Sequence, residues 1–241
     1  MVSVRDRLMF RPPRLGTALF LPGLPGGGAS IYDRSIYKNN GAITGATYAR
    51  LPSGLPYLDF DAATEKVDLG TTGILTLTSG TVLFWFKCPL TVLDNMILSA
   101  SDKDTNAVDE WQLNAKGGVG WDNISFVTRT ASANVQQLQT AEDTIVANQW
   151  TQCAIVSSGT AISMYLQGVS KAITIGVGVN NGDWFGDVPN LDNLTLGLLR
   201  RSLGDVAPFV GGQTLLRATS EILTDAQIMR HYIQEKHLFR V

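Results

Sequence analysis

Nearly the whole chain repeats one pattern, a short apolar run followed by Gly, Asn, Asp, Ser or Pro and then another short run. Runs so short, broken so often by turn formers, leave no room for long helices and predict an all-β sandwich or barrel. The length agrees, because 241 residues falls in the range of roughly 200 to 250 that one β-sandwich domain can use. One domain over residues 15–241, preceded by a short arm over residues 1–14, is the expected organisation. Hydrophobic residues make up 44% and charged residues 17% of the chain, which supplies a large core and argues against a disordered chain.

Individual strands can be read from the alternation of side chains. In "TVLFWFKCP", Val82, Phe84 and Phe86 share one face, Leu83 and Trp85 share the other, and Pro89 ends the run. Both faces are apolar, so this strand is expected to be central and covered on both sides. In "WTQCAIVSSGTAISMYLQGV", two runs meet at Ser158-Gly159 and a second turn follows at Gly168, the signature of a hairpin. Further strands are expected at "TALFLPG", "YLDFD", "ISFVTRT", "LTLGLLRR" and "GQTLLRATS". Near the C-terminus the period changes: Thr224 and Gln227 form a capping-box pair, and Ile228, Met229, Tyr232 and Ile233 recur at helical spacing. A short terminal helix is therefore expected to lay its apolar face on the sandwich.

Charge excludes some functions. The net charge of -2 provides no basic field for nucleic acid or for an anionic membrane. No apolar run approaches the length of about 18 residues that spans a bilayer. "LGTALFLPGLPGGG" is broken by Pro22 and Pro25, so it reads as a strand and turn and not as an export signal. The first fourteen residues differ from the rest, with Arg5, Arg7, Arg11 and Arg14 against Asp6. They are expected to form an assembly arm that docks on an acidic neighbour, or else a solvated terminus. Cys88 and Cys153 are too few for a disulfide framework; they read as small buried side chains, with a single bridge left open.

Several phrases, taken in order, resemble a known family. "YDRSIYKNNGAITGATY", "LDFDAATEKVDLG", "TVLFWFKCP", "NQWTQCAIVSSGTAISMYLQGV" and "PFVGGQTLLRATSEILTDAQIMRHY" are similar to successive strands and the closing helix of the laminin-G-like, concanavalin A-like jelly-roll domains found in bacterial surface proteins and tailed-phage proteins. The resemblance runs from about Leu15 to about Tyr232 and implies a two-sheet antiparallel jelly-roll sandwich with a short C-terminal helix. It also leaves room for calcium at Asp33, Asn39 and Asn40, whose alternative role is to form turns by bonding their own backbone. Where the family carries acidic residues in its last strand, Thr214 and Leu215 stand here, and where its hairpin has Asp, Gln167 stands here. Both departures weaken a carried-over calcium site.

Catalytic machinery is not evident. The paired carboxylates that glycoside hydrolysis needs on one strand face are missing, and the adjacent acids in "DEW" and "AEDT" read as loop acids. His231 and His237 lie in or beside the terminal helix with no nucleophile to serve. The chain is therefore expected to be non-catalytic. Sugar binding remains open, because Trp111, Trp121 and Trp184 with Phe185 lie in or near polar, Gly- and Asn-rich stretches that could present rings to a glycan. The first functional expectation is a structural or interaction module of a virus particle, a capsid decoration or tail-associated protein, with protein partners and a homo-oligomeric state. The alternative is a lectin-like module that recognises a cell-surface glycan, located outside the cell or at its surface. A second face on Leu83 and Trp85 left uncovered by the chain itself would favour the former.

Overall fold

The computed structural model describes residues 16–22, 29–91, 93–105, 108–118, 122–142 and 144–240. These form two antiparallel sheets packed face to face. In chain order the strands are β1 (Thr17–Leu21), β2 (Ser30–Ile31), β3 (Gly41–Thr44), β4 (Thr47–Arg50), β5 (Pro56–Phe60), β6 (Lys66–Gly70), β7 (Gly80–Lys87), β8 (Asn95–Ser101) and β9 (Glu110–Lys116). There follow β10 (Asn123–Thr130), β11 (Ala133–Thr140), β12 (Thr151–Ser157), β13 (Ile162–Leu166), β14 (Val169–Lys171), β15 (Ile173–Gly178), β16 (Asn193–Leu196) and β17 (Gly211–Thr219), and the chain closes with helix α1 (Asp225–Phe239).

The nine-stranded sheet runs β15-β11-β10-β9-β8-β16-β6-β3-β2, and the eight-stranded sheet runs β14-β13-β12-β7-β17-β5-β4 with β1 paired to β17. Alternation then sorts the side chains. Val82, Phe84 and Phe86 of β7 point between the sheets, together with Leu113 and Ala115 of β9, Ile124 and Phe126 of β10, and Cys153 and Ile155 of β12. Because a strand places alternate side chains on opposite faces, Leu83 and Trp85 must point the other way. They do, and both are buried there: Leu83 packs with Ala154, Val156, Tyr165 and Ile228, while Trp85 packs with Trp150, Leu215, Leu238 and Phe239.

The cover over that second face is α1. Its start is fixed by the expected capping box: the Gln227 amide N–H donates to Thr224 Oγ1, and the Thr224 N–H donates to Gln227 Oε1. The Phe239 ring stacks on Trp85 at 3.9 Å between centroids, and Tyr165 donates its hydroxyl to Asp225 at 2.7 Å. Beneath the helix lies a buried charge cluster. Glu235 has no exposed surface; it accepts from Trp85 Nε1 at 2.7 Å and pairs with Arg217 at 2.8 Å, with His231 at 3.7 Å. Burial acts to raise the Glu235 carboxyl, but the Arg217 guanidinium, His231 and the Trp85 N–H outweigh it and hold the group below the ordinary glutamate value.

The cysteines are free and buried. Burial pushes the Cys88 thiol up to about 12 and raises that of Cys153 as well, so both stay protonated and inert. They act as the small core side chains the sequence suggested. The arm residues Arg5, Arg7, Arg11 and Arg14 lie outside the described residues, as does Trp121.

Candidate functional site

Trp111, Trp184 and Phe185, the described residues among the aromatics expected to meet a sugar, are instead core. Trp111 lies in β9 between Glu110 and Gln112 and points inward; it has no exposed surface, nor has Phe185, and Trp184 has 1%. Trp111 stacks on Phe185 at 4.2 Å and meets Trp184 edge to face at 5.3 Å. A ring enclosed on both sides by other rings has no face left for a ligand. The polar residues around Trp111 are the alternate, outward positions of a strand, which made it look like a loop residue in the sequence.

The calcium expectation is corrected in the same way. Asp33 is buried, and each of its carboxylate oxygens accepts two hydrogen bonds. Oδ1 takes the N–H groups of Phe20 and Ser35, both at 2.8 Å. Oδ2 takes Ser35 Oγ at 2.6 Å and the Asn39 N–H at 2.8 Å. A carboxylate has about four lone-pair sites, so none remains for a cation. Asn40 Oδ1 accepts the Asp33 N–H, and the Asn39 amide donates to the Ala18 carbonyl. The three residues are brought together, but as the builders of a turn. Among the described residues no group of three or more His, Cys, Asp or Glu side chains could hold a metal ion.

A different surface has the character of a binding site, namely the outer face of the nine-stranded sheet. Its register lines up polar side chains across strands. One row runs Asp68, Thr195, Ser99, Gln112, Val127 and Gln137. A second runs Asn114, Ser125 and Gln139, and a third runs Ser101, Glu110 and Arg129. Each of these residues except Arg129, whose neighbours are Thr128 and Thr130, alternates along its strand with a core side chain, so the outward placement follows from the inward packing. Thus the sequence hides polar rows inside segments that also supply the core; Ser99, Ser101, Asn114, Ser125 and Thr195 are themselves buried, and Arg129, Gln137, Gln139 and Arg201 are the members partly open to solvent.

The chemistry concentrates at Glu110. This residue opens β9 and is not the loop acid read from the sequence; it is 1% exposed. Arg201 Nε and NH2 and the Gln112 amide all donate to its carboxylate, and Arg129 NH1 donates at 3.4 Å. Two guanidinium groups share one carboxylate, and both arginines are partly open to solvent. The buried polar atoms Asn114 Oδ1, Ser125 Oγ and Arg129 Nε have no partner among the described residues, a condition that points to enclosed water behind this face. Val127, between Arg129 and Ser125 on β10, adds an apolar spot.

One wall of the face is built by the connection from β16 to β17. At Gly197, φ is +90° and an added Cβ would lie 2.5 Å from the Phe60 ring, so glycine is required where the chain turns out over the sheet. The segment then folds back on itself through a bridge between Leu199 and Val206. It is tied down by the Ser99 hydroxyl to the Leu198 carbonyl at 2.8 Å, by Arg200 to Asp68 and by Arg201 to Glu110.

Comparison with known proteins agrees with this architecture. A family profile described as the concanavalin A-like lectin/glucanases superfamily matches residues 61–228. A search of curated proteins by sequence finds no match. Among solved structures, the chain is similar to the CBM40 of a Ruminococcus gnavus IT-sialidase, solved bound to α2,3-sialyllactose. That similarity has a TM-score of 0.60 at 14% identity and covers 77% of this chain and 97% of that one. A Trypanosoma rangeli sialidase gives a TM-score of 0.64 at 14% identity over 94% of this chain and 34% of that chain. The leech intramolecular trans-sialidase gives 0.57 at 14% identity over 79% and 27%. At such identities the likeness concerns the fold, while the profile spans more than half of the sequence. With its two antiparallel sheets, its polar outer face and that profile match, the chain belongs to the concanavalin A-like lectin/glucanases superfamily.

Proposed function

We propose that this protein is a non-catalytic glycan-binding module whose site is the outer face of the nine-stranded sheet around Gln112, Val127, Arg129, Gln137, Gln139 and Arg201. The observation that carries the reading is the pair of arginines converging on Glu110 within a sheet face of amides and hydroxyls. Amides and hydroxyls match sugar hydroxyls, and the two partly open guanidinium groups of Arg129 and Arg201 suit the carboxylate of an acidic sugar. The R. gnavus module of this fold, solved with α2,3-sialyllactose, supports the choice of a sialylated glycan as the first probe. Its near-complete coverage, against about a third of a whole sialidase, favours a binding module over an enzyme. Glu110 is tied to two arginines and an amide, which leaves it poorly placed to shuttle protons. A glycan ligand implies a location at a cell surface or outside the cell.

The expected role in a virus particle gains no support from these comparisons. The condition that would have favoured it, a second face of β7 left uncovered by the chain, is not met, since α1 covers Leu83 and Trp85.

Calorimetric titration tests the proposal. 3′-Sialyllactose is expected to bind and lactose to bind at least tenfold more weakly, the loss of a charge-assisted contact being about 1.4 kcal/mol or more. Arg129→Gln should reduce sialyllactose affinity by a similar factor with only a small loss of thermal stability, because Arg201 still pairs with Glu110. Equal affinity for the two sugars would remove the acidic-sugar reading, and no binding of any glycan on an array would remove the proposal itself.

A further inference from the structure

The turn between β2 and β3, where Asp33 builds no cation site, is firmly anchored at its base. Ser35 Oγ and the Asn39 amide both donate to the Ala18 carbonyl, and the Arg34 N–H donates to the Phe20 carbonyl at 2.8 Å. From inside the turn Asp33 holds the N–H groups of Phe20, Ser35 and Asn39. Those of Asp33, Tyr37 and Asn40 end on Asn40 Oδ1, Ser35 Oγ and the Lys38 carbonyl. Lys38 sits in the left-handed region at φ +55°, which a residue other than glycine keeps only where its surroundings fix it.

What this rigid base displays is apolar. Ile36 is 71% and Tyr37 60% exposed, and among the described residues they are the one consecutive pair of exposed large apolar side chains. Cations flank the pair. Arg34 and Lys38 are both exposed, and among the described residues neither forms an ion pair. Asp33 is the one acidic residue between Leu15 and Leu58, and its carboxylate is spent inside the turn. The whole chain carries a charge of -2, yet this tip is locally positive.

We propose that this tip docks on a lipid bilayer bearing anionic headgroups, with Ile36 and the Tyr37 ring entering the interface and Arg34 and Lys38 lying among the headgroups. Three features select lipid. Each flanking cation is attracted to an anionic surface at short range. A tyrosine ring, apolar in body and polar at its tip, suits the headgroup level, and long cationic side chains reach out from an apolar anchor. A segment that enters a medium short of water needs its backbone groups bonded beforehand, and the N–H groups of residues 33, 34, 35, 37, 39 and 40 are. A protein pocket fits less well, because a two-residue convex tip falls far short of a standard interface of about 800 Å² per partner. Two side chains bury less apolar surface than one acyl chain, whose own membrane binding is marginal. The contact is therefore weak and reversible.

Co-sedimentation of the full chain with sucrose-loaded vesicles at millimolar lipid tests the contact. Vesicles of phosphatidylcholine with about 30% phosphatidylserine are expected to bind the protein at least about tenfold better than phosphatidylcholine alone, and high salt should remove most of the difference. Ile36→Ser and Tyr37→Ser should each lower binding to the mixed vesicles about tenfold. Arg34→Gln combined with Lys38→Gln should abolish the preference for the anionic lipid. Thermal unfolding should stay unchanged in all of them, because the four side chains are exposed and the bonds to Asp33 remain. A polarity-sensitive dye on Ile36→Cys reports where the contact lies, since Cys88 and Cys153 are buried and do not compete for the label; its emission should shift to the blue on the mixed vesicles. Equal binding to both kinds of vesicle, binding that none of the tip variants alters, or a dye that does not respond while the protein sediments would each overturn the proposal. So would failure to bind either vesicle, the result expected if the tip served an acidic protein partner instead. The vesicles carry no sugar, so the outcome is independent of the glycan reading.

Discussion

Replacing Arg217 with methionine is expected to cost about 3 to 5 kcal/mol of stability, because it leaves the fully buried Glu235 carboxylate without its counter-charge. The loss should appear in urea denaturation as a lower midpoint, with dye binding to the surface of Leu83, Trp85 and Leu215 as α1 loosens. Since a hydrophobic replacement of both partners can be neutral or favourable, Arg217→Met with Glu235→Leu should recover most of what the single change loses. The same pair governs acid stability. Glu235 is held below its unfolded value of 4.5, so its contribution is present above that pH and is lost as the pH falls through the folded value. Acidification below about 4.5 should therefore destabilise wild type more than the double variant. A single variant as stable as wild type would show that the ion pair does not hold the helix.

The second large effect concerns Trp111. Its burial between Phe126, Trp184 and Phe185 makes Trp111→Ala a core deletion, expected to lower stability by about 3 to 5 kcal/mol. For a chain of this size that corresponds to a drop of the order of 10 °C in Tm. The near-ultraviolet circular dichroism of the aromatic cluster should collapse with it. If Trp111→Ala instead kept its stability and lost only glycan binding, the ring would be a sugar platform and the outer-face site would be wrong.

The fate of Trp111 shows where the sequence is legible. Strands apolar on both faces, such as β7, announce themselves, and α1 is announced by Thr224 and Gln227 together with the helical recurrence of Ile228 and Tyr232. The two segments "EWQLNAK" and "ANVQQLQT" do not, because their outward positions are mostly Glu, Gln, Asn and Lys, and such composition imitates a loop. A signal was available all the same. Trp111, Leu113 and Ala115 alternate with Glu110, Gln112, Asn114 and Lys116, and Leu138 sits between Gln137 and Gln139, which is the period of a strand with one wet face. What no single strand could reveal is the meeting of Glu110, Arg129 and Arg201, since these come from three separate segments and are joined by register and by the fold-back after Gly197. The Asp33 turn is the converse case. Residues that read as metal ligands are spent on backbone N–H groups, which local hydrogen bonding by Asp and Asn makes their commoner role.

The most direct test of the central claim is chemical-shift mapping of 3′-sialyllactose on isotopically labelled protein, with the arginine and glutamine side-chain signals included. Shifts that concentrate on Gln112, Arg129, Gln137, Gln139 and Arg201 are the predicted result. Shifts confined to the eight-stranded sheet, to the turn around Asp33 or to the segment around Trp184 would contradict the assignment of the outer face as the binding site.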